Sequence, residues 1–426
     1  MNSKKRILLG VTGGIAAYKA AELVRLMVKR GLDVHVAMTA HAQEFVKPLT
    51  FQALSGNRVW TDTFELTSEH EIGHIKLVEM CDLVVVAPAT ANLLGKIASG
   101  VADDVLTTMI CAASQIPILL APSMNVNMYR NPVTQANLRK LKAFGFHVLE
   151  PAEGDLACGY EGVGRLPEPG VILEHVLSLL TPKDLRGETI LVTAGPTHEE
   201  IDPVRFLTNR SSGKMGFALA KAASRRGAEV ILVSGPSACE VPVGVSCFPV
   251  RSAEEMYHAV LEAYPKATVV IMAAAVSDFR PAKREARKIK KGEGGLTLHL
   301  EKTPDILQEL GKRKENQILI GFAAETESLI ENAEVKQRKK NLDLIIVNDV
   351  SRRDIGFQSD QNEVKCIRRD GRVQELPLMT KEDLAHKILD QIPELRSSKA
   401  QSEEALPDAA ASARTARNQP SPDAVK

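Results

Sequence analysis

Short apolar runs alternate with helical patterns along the first part of the chain. The run 7–9 leads into a glycine-rich turn over 10–14 and then into a helical pattern over 15–29. Later strand-like runs lie at 34–38, 83–87, 116–120 and 146–149, with helical stretches near 90–99, 101–113 and 132–144. Strands that alternate with helices form a parallel sheet covered on both faces. The segment 150–170 has no such period, and we predict a functional or mobile loop there.

The same alternation begins again after a polar stretch near 181–187. Its predicted strands lie at 189–193, 230–233, 269–272, 318–320 and 344–347, and a hairpin around Asp370-Gly371 and a helix over 381–392 follow. Beyond Arg396 the residues are mostly alanine, serine, proline and charged types, which bury too little apolar surface to become ordered. We therefore predict two tandem Rossmann-like, doubly wound α/β domains over 1–186 and 187–396, and a disordered tail over 397–426.

Composition narrows the class of protein. Of the 426 residues, 44% are hydrophobic, and 54 Lys plus Arg face 53 Asp plus Glu. A net charge of +1 gives no overall field that would attract nucleic acid or an anionic membrane, so any anion site must be local. No apolar run approaches the ~18 residues that span a bilayer. The six cysteines have neither zinc-knuckle spacing nor disulfide density, so we expect a cytoplasmic protein with reduced thiols.

Two turns that follow predicted strands carry candidate ligand-binding groups. The segment 10–16, Gly-Val-Thr-Gly-Gly-Ile-Ala, places backbone N–H groups at a helix start, where phosphate can bind. A tight turn that needs glycine is an equally good interpretation of this segment alone. The segment 87–92, Ala-Pro-Ala-Thr-Ala-Asn, ends another strand at the same sheet edge, where open α/β folds bind ligands. Gly-x-Gly-x-x-Gly is absent from both domains, which argues against a nicotinamide dehydrogenase.

Three polar side chains of the first domain are candidates for chemistry. His74 precedes a strand and could act as a base, although most histidines are surface or structural residues. Asn125 could bind a carboxylate or an amide, or it could simply hold a turn. Cys158 lies in a glycine-bearing loop, where a thiol is more reactive than in apolar surroundings.

These segments occur together, and in this order, in one family. The segments 10–16 and 87–92, His74, Pro-Ser-Met-Asn-Val-Asn-Met at 122–128 and Ala-Cys-Gly at 157–159 resemble flavin-dependent cysteine decarboxylases, phosphopantothenoylcysteine decarboxylase in particular. The resemblance implies a flavodoxin-like domain that binds FMN. The FMN contacts that it implies are Gly13, Gly14, Thr39, Thr90, Asn92 and Asp104.

The resemblance also implies a role for each candidate side chain. A flavin can accept hydride from the cysteine-derived end of the substrate to give a thioaldehyde, so that loss of carbon dioxide leaves an enethiolate and not an unstabilised carbanion. His74 is then the base or orienting group, and Asn125 contacts the substrate carboxylate. Cys158 donates the proton when the enethiol is reduced.

Hydroxyl and basic side chains mark the second domain. Ser211-Ser212-Gly213-Lys214 precedes a helix, but Met215 follows the lysine and the glycine spacing does not match, so a P-loop is excluded while an anion site is not. Lys336 and Lys340 share one helix face at i, i+4 spacing and could meet one polyphosphate. For most other basic residues here, a solvated face is the better interpretation. The aromatic set expected of a nucleic-acid-binding domain is absent from the sequence.

The second domain resembles phosphopantothenate–cysteine ligases of the bacterial CTP-using type. The resemblance rests on residues 193–197, 202–205, 209–216, 273–278, 288–291, 303–306, 321–326 and 340–343. It implies an acyl-cytidylate intermediate, with Asn209 at the acyl-cytidylate, Lys288 acting in the first step and Asp278 on the side of a Mg²⁺ ion. The CTP contacts that it implies are Ala273, Ala274, Ala275, Asp278, Lys288, Pro304, Asp305, Ile306, Leu307, Phe322, Lys336 and Lys340.

The two resemblances cover residues 5–395, in the decarboxylase-then-ligase order of the bifunctional bacterial enzymes of coenzyme A biosynthesis. They imply 4'-phosphopantothenate, cysteine and CTP as small-molecule substrates and 4'-phosphopantetheine as the product. They also imply a homo-oligomer with a trimer-based decarboxylase core and dimeric ligase units. The alternative is a non-catalytic flavin-binding regulatory or interaction protein, which would not need His74, Asn125 and Cys158 together.

Overall fold

The structure is a computed structural model that describes residues 4–63, 73–155, 161–291, 295–325, 329–349 and 359–404. The chain divides into two compact units between Pro182 and Lys183. Each unit has its own central sheet with helices on both faces, so the predicted class of two doubly wound α/β domains is confirmed. Within the described residues, we find no helix with the length and apolar content that crossing a membrane requires.

The centre of the first unit is a six-stranded parallel sheet. Its strands are β1 (Arg6–Val11), β2 (Asp33–Met38), β3 (Val59–Trp60), β4 (Leu83–Ala89), β5 (Ile118–Pro122) and β6 (His147–Val148). Their order in the sheet is β3-β2-β1-β4-β5-β6, which is that of a Rossmann fold, and without the two-residue edge strand β3 it is that of a flavodoxin. In both descriptions the chain reverses direction between β1 and β4, so a ligand crevice is expected where these two strands end.

Helices cover both faces of this sheet. They are α1 (Ala17–Lys29), α2 (Pro48–Ser55), α3 (Gly73–Glu79), α4 (Ala91–Ala98), α5 (Val105–Ala112), α6 (Val126–Arg130), α7 (Pro132–Ala143) and α8 (Pro169–Leu180). Successive residues of β1 enter different cores, because Ile7 and Leu9 pack with α1 and α8 whereas Leu8 packs with α4 and α5. Every residue of β4 is buried, which explains why its sequence is a continuous apolar run.

The second unit contains an eight-stranded sheet and two short hairpins. Its strands are β9 (Thr189–Ala194), β10 (His198–Glu200), β11 (Phe206–Thr208), β12 (Glu229–Ser234), β13 (Val245–Pro249), β14 (Val269–Met272), β15 (Phe279–Pro281), β16 (Leu300–Lys302), β17 (Ile318–Glu325), β18 (Leu344–Asp349), β19 (Gln361–Arg368) and β20 (Val373–Thr380). The sheet order is β13-β12-β9-β14-β17-β18-β19-β20, parallel through β18 and antiparallel from there on. The switch in strand order therefore lies between β9 and β14.

The helices of the second unit are α9 (Lys214–Arg225), α10 (Ala253–Ala263), α11 (Ile306–Arg313), α12 (Leu329–Lys339), α13 (Lys381–Leu389) and α14 (Gln391–Glu404). Helices α9 and α13 pack on one face of the sheet, where Leu219 and Leu384 enter the same core. Helices α10, α11 and α12 pack on the other face through Met256, Leu310 and Ala333. Both faces are therefore covered, as a mainly parallel sheet requires.

The segment 150–170, predicted as a functional or mobile loop, carries regular structure in its described residues. It contains an antiparallel pair, β7 (Ala152–Asp155) with β8 (Glu161–Arg165). The carbonyl of Gly164 accepts a hydrogen bond from Met124 N at 2.9 Å, which ties this pair to the segment after β5. Glycines at 154, 162 and 164 remove the alternating side-chain pattern by which a strand is recognised, so the sequence hides the hairpin.

The end of the folded chain also differs from the prediction. The helix expected over 381–392 is two helices, α13 and α14, and α14 continues through Glu404 into the tail that we expected to be disordered from Ser397. Arg396 donates to the carbonyl of Asn316 at 3.0 Å, and Lys399 donates to that of Glu315 at 2.9 Å. Ile392 of α14 is buried in the core and Leu395 packs against it, so α14 is anchored by apolar contacts at its start and by these bonds farther along. The remaining tail, 405–426, lies outside the described residues.

Candidate functional site

A cavity of about 750 Å³ lies where β1, β2, β4 and β5 of the first unit end. This is the crevice expected from the switch in strand order. Its lining residues are Thr12, Gly13, Gly14, Ile15, Ala16, Thr39, Ala40, His41, Pro88, Thr90, Ala91, Asn92, Leu93, Lys96, Asp104, Ser123, Met124, Asn125, Met128 and Gly164. The six residues that sequence assigns to a flavin therefore share one cavity.

The glycine turn after β1 is closely packed against the segment after β2. A Cβ atom added to Gly13 would lie 2.4 Å from Cβ of His41 and 2.9 Å from its carbonyl carbon. Thr12 joins the turn to β4 because its hydroxyl donates to the carbonyl of Pro88 at 2.7 Å. Only a residue without a side chain allows this approach, so glycine here shapes the cavity floor.

Several predicted binding side chains also start helices. Thr39 and Thr90 accept hydrogen bonds from Ala42 N at 3.3 Å and Leu93 N at 3.4 Å. Asp104 caps α5 by accepting from Thr107 N at 2.8 Å. Each of these side chains caps a helix and also lines the cavity, so a structural role and a binding role are compatible.

The three catalytic candidates of the first unit are placed differently. Asn125 lines the cavity, and its side-chain oxygen accepts from Asn127 N at 2.8 Å. His74 is buried on α3 and is not among the described residues that line this cavity. Cys158 lies outside the described residues. The structure therefore brings one of the three to the cavity.

A second cavity, of about 850 Å³, lies at the carboxyl edge of the second unit's sheet. It extends from the start of α9 past the ends of β14, β17 and β18 to the starts of β19 and α13. Every residue that sequence assigns to CTP lines it except Lys288, and Asn209 lines it as well. The carboxyl ends of parallel strands thus gather residues that are far apart in sequence.

Hydrogen bonds hold the segments of this cavity together. The side-chain nitrogen of Asn209 donates to the carbonyl of Ala275 at 3.0 Å. Thr303 donates from its backbone to the carbonyl of Asp278 at 3.0 Å and from its hydroxyl to the carbonyl of Ser277 at 2.6 Å. The Thr303 bonds fix this residue against the segment that follows β14.

The predicted polyphosphate lysines lie beside this segment. Lys336 Nζ is 3.5 Å from the carbonyl oxygen of Phe322, and Lys340 Nζ is 2.9 Å from Oδ1 of Asp305. The Lys340 side chain is largely buried, so its ion pair with Asp305 holds the ammonium in one place. Both lysines line the same cavity, as their i, i+4 spacing predicts.

Lys288 lies on an exposed loop that a buried carboxylate anchors. Asp202 accepts five hydrogen bonds, from Val204 N, from the backbone and side chain of Arg205, and from Ile289 N. Arg205 also donates to the carbonyl of Ile289 at 2.7 Å. Ile289, which follows Lys288, is therefore held in place by its backbone. Lys288 itself does not line the cavity.

Asp202 should make the folded state sensitive to acid. Burial alone would raise the pKa of its carboxyl, but the hydrogen bonds outweigh burial and lower the pKa from 3.8 to about 2. A lowered pKa in the folded state gives stability that is complete above pH 3.8 and lost as the pH falls through about 2. We expect the free energy of unfolding, measured with urea between about pH 4.5 and about pH 2, to fall less steeply with pH in Asp202→Asn than in the native chain.

Asp370→Asn, at a partly exposed carboxylate of the β19–β20 turn, is the matched control and should keep the native slope. An unchanged slope in Asp202→Asn would contradict the assignment of the lowered pKa to this carboxyl.

Sequence reasoning missed several residues of the two cavities. In the first, Lys96 lines the wall and binds Asp103 at 2.7 Å and Asp104 at 3.3 Å. In the second, they include Asn348, Asn362 and Lys381. Lys381 directly follows Thr380, the N-cap of α13, and a lysine is unusual there because its positive charge opposes the helix dipole.

A protein-built metal centre is not found in the described parts of the chain. No three His, Cys, Asp or Glu side chains within them are grouped to hold an ion. Asp278 lines the second cavity as an exposed carboxylate. One carboxylate is sufficient for Mg²⁺ when phosphate oxygens and water supply its other ligands.

Comparison with known proteins matches nearly the whole chain. Residues 1–181 match the family described as Flavoprotein, and residues 185–395 match the DNA/pantothenate metabolism flavoprotein C-terminal domain. Coenzyme A biosynthesis bifunctional protein CoaBC of Bacillus subtilis (strain 168) is 49% identical over 396 residues, 92% of this chain and 97% of that protein. The protein of the same name in Escherichia coli (strain K12) is 45% identical over 393 residues, 91% and 96% of the two chains.

Solved structures match each half. The C-terminal domain of a coenzyme A biosynthesis bifunctional protein CoaBC is 47% identical and covers 50% of this chain and 98% of that one, with a TM-score of 0.44. A cysteine-to-serine mutant of PPC decarboxylase complexed with pantothenoylaminoethenethiol is 34% identical and covers 41% and 97%, with a TM-score of 0.37.

Proposed function

The chain belongs to the family of bifunctional coenzyme A biosynthesis proteins, and from this premise we propose how its two cavities divide the work. The protein is an enzyme with phosphopantothenoylcysteine decarboxylase and phosphopantothenate–cysteine ligase activities. The first cavity is the decarboxylase site and the second is the ligase site. One observation supports this division. Nearly all the residues that the resemblance assigns to FMN line the first cavity, and nearly all those that it assigns to CTP line the second.

The residues of the first cavity fit FMN. Its volume of about 750 Å³ is typical of small-molecule sites, and the closely packed turn at Gly13 leaves backbone N–H groups for a phosphate. Bound FMN would supply reversible two-electron oxidation of the substrate's cysteine-derived end. Thr39, Thr90 and Asn92 offer the hydroxyl and amide groups that would orient it.

The chain's own residues then bind the substrate and move protons. The amide group of Asn125 can donate to the substrate carboxylate and hold it in the cavity until carbon dioxide leaves. The thiol of Cys158 would protonate the enethiol carbon as the product is reduced. The role of His74 as base or orienting group rests on the resemblance alone, because His74 is not among the described residues that line this cavity.

Gly13→Ala should strip the flavin from the protein. The added methyl group collides with Cβ and the backbone of His41, and overpacking of this kind costs about 1–3 kcal/mol, or roughly 5- to 150-fold in flavin affinity. Flavin absorbance per chain after gel filtration measures the loss. Gly95→Ala on α4 is the control, since its new Cβ would lie 3.7 Å from its nearest neighbour, and equal flavin content in both variants would refute the assignment.

In the ligase cavity, the carboxylate of 4'-phosphopantothenate attacks the α-phosphorus of CTP, which gives the acyl-cytidylate and pyrophosphate. The amine of cysteine then displaces CMP. Lys336 and Lys340 offset the negative charge that develops on the pyrophosphate. Asn209, held against Ala275, orients the acyl-cytidylate for the second step.

Several finer assignments are part of this proposal. Asp278 would share Mg²⁺ with the phosphates of CTP, and Lys288 would reach the nucleotide from its anchored loop. The domains extend over 1–186 and 187–396. A cytoplasmic location remains a prediction from composition.

We also propose a homo-oligomer, with trimer-based decarboxylase and dimeric ligase units, on the strength of the resemblance. Large apolar side chains on the surface of the first unit support an assembly, since Ile15, Tyr18 and Leu49 are 61%, 60% and 73% exposed.

Mass spectrometry of the purified chain, with its flavin retained, tests the proposal. Incubation with 4'-phosphopantothenate, cysteine, CTP and Mg²⁺ should yield 4'-phosphopantetheine, CMP and pyrophosphate. Formation of phosphopantothenoylcysteine alone would contradict the decarboxylase assignments, whereas no product from flavin-loaded protein would favour the non-catalytic flavin-binding alternative.

A further inference from the structure

We propose that Lys96 acts as an electrostatic screen in the first cavity, where its ammonium offsets the carboxylates of Asp103 and Asp104 and thereby raises the reduction potential of bound FMN. The inference rests on the proposed FMN site and adds to it a residue that tunes the flavin and that is not among the six FMN contacts implied by the resemblance. Among the described residues that line this cavity, Lys96 is the one lysine or arginine.

Helix α4 presents Lys96 to the cavity. Asn92 and Lys96 lie on one face of this helix at i, i+4 spacing, and both line the cavity. Lys96 is in the last turn, where the helix dipole favours a cation, but the dipole does not require the side chain to reach the cavity. The helix face that carries the predicted flavin contact Asn92 therefore also carries a positive charge.

Two carboxylates hold the ammonium in place. Lys96 Nζ is 2.7 Å from Oδ1 of Asp103 and 3.3 Å from Oδ2 of Asp104. The other oxygen of Asp104, Oδ1, accepts from the backbone N of Thr107 at 2.8 Å and from its hydroxyl at 2.9 Å. Asp104 therefore cannot turn away from Lys96 without breaking the cap of α5, and the ion pair has a fixed position in the cavity wall.

The cluster carries more negative than positive charge. The hydrogen bond to Asp103, more than that to Asp104, raises the pKa of Lys96. The same bond lowers the pKa of Asp103. Lys96 and Asp103 are therefore ionised at neutral pH, and with Asp104 as the second carboxylate the cluster has a net formal charge of −1.

Reduction of a flavin makes this charge balance matter. Two-electron reduction increases the negative charge on the flavin ring, because the reduced ring is acidic at N1, and positive charge near the ring favours that form. Charges in a cavity interact more strongly than in bulk water, since the effective dielectric constant is lower. Without Lys96, the two uncompensated carboxylates would oppose reduction.

The reduction potential separates this role from simple binding of the cofactor. The FMN phosphate has the same charge in both oxidation states, so its interaction with Lys96 cancels from the potential. What remains is the difference between the oxidised and the reduced ring, which decides how readily the flavin takes hydride from the substrate. Lys96 therefore favours the oxidative half of the proposed decarboxylation, and it acts through its charge and not through contact with the reacting atoms.

Redox titration of the flavin-loaded, full-length chain against a reference dye tests the inference. Lys96→Met removes the charge and keeps a side chain of similar length. It should weaken the affinity for reduced relative to oxidised FMN about tenfold, which lowers the two-electron potential by about 30 mV. Lys96→Arg keeps the charge and should keep the native potential. Asp103→Asn should raise the potential, by a smaller amount because the Asp103 side chain is 56% exposed.

A double variant and a matched control separate charge from structure. Lys96→Met/Asp103→Asn restores the native net charge of the cluster, so its potential should lie between those of the two single variants. Lys5→Met is the control, since Lys5 Nζ also pairs with an aspartate, Asp82, at 2.7 Å. Lys5 precedes β1, whereas the cavity lies where β1 ends, so this variant should keep the native potential.

A native potential in Lys96→Met overturns the inference, and so does an equal shift in Lys96→Met and Lys96→Arg, since geometry and not charge would then be responsible. If Lys96→Met retains no flavin, Asp103→Asn decides, and an unchanged potential in that variant overturns the inference. The flavin content of the native chain tests the proposed function separately. A native chain without FMN would refute the FMN site, whereas a flavin-loaded native chain with unshifted variants would refute the screen alone.

Discussion

The Cys158→Ser variant should still release carbon dioxide but should accumulate the oxidised enethiol product in place of 4'-phosphopantetheine. A serine hydroxyl is a far weaker acid than a thiol, so it cannot donate the proton that reduction of the enethiol requires. Loss of a general acid slows a reaction by about 10²–10⁴-fold. Single-turnover mass spectrometry, with carbon dioxide release followed in parallel, would measure both steps.

A matched variant separates this effect from the general loss of a thiol. Cys111 is an exposed free cysteine on α5, outside the lining of the flavin cavity, and Cys111→Ser should retain full turnover. Full turnover in Cys158→Ser would refute the proton-donor role, and loss of carbon dioxide release would place Cys158 in the earlier step.

Asn209→Asp should retain activation of 4'-phosphopantothenate by CTP and slow amide formation by about 10²–10³-fold, the usual cost of losing a donor that stabilises developing charge. The carboxylate that replaces the amide cannot donate to the carbonyl of Ala275, at 3.0 Å in the native chain, and repels the acyl-cytidylate. The other nucleotide contacts of the cavity remain in place, so the first step should continue.

Rapid-quench measurement of pyrophosphate against phosphopantothenoylcysteine would show whether the two steps separate. Asn316→Asp adds the same charge at an exposed position of the second unit and should behave like the native chain. Unimpaired overall ligation in Asn209→Asp would count against the orienting role, and equal loss of both products would assign Asn209 to CTP activation.

The fold was predictable wherever local pattern and burial agree. Strands β4 and β9 are nearly continuous apolar runs because helices cover both of their faces, and such runs are visible in sequence. The β7–β8 hairpin was not, since its glycines carry no side-chain alternation and its position depends on a bond to Met124 N from a distant part of the chain.

The same distinction applies to the sites. Turns at the ends of parallel strands converge by topology, so the residues after β1, β4 and β14 could be grouped from sequence. Lys381 joins the ligase cavity only because β19 and β20 return antiparallel along the sheet edge and deliver α13 to the face of α9. The motif of His74 predicts a site residue, but the side chain is buried on α3 and is not among the described residues that line the cavity.

Each cavity is lined entirely, in its described residues, by side chains of its own unit, because each sheet has its own switch in strand order. The two catalytic units are therefore modular in the evolutionary sense. Splitting the gene near the codon for Pro182, or fusing two genes there, would leave the described lining of each cavity unchanged. Selection can then tune the rate of one reaction through substitutions that leave the other untouched.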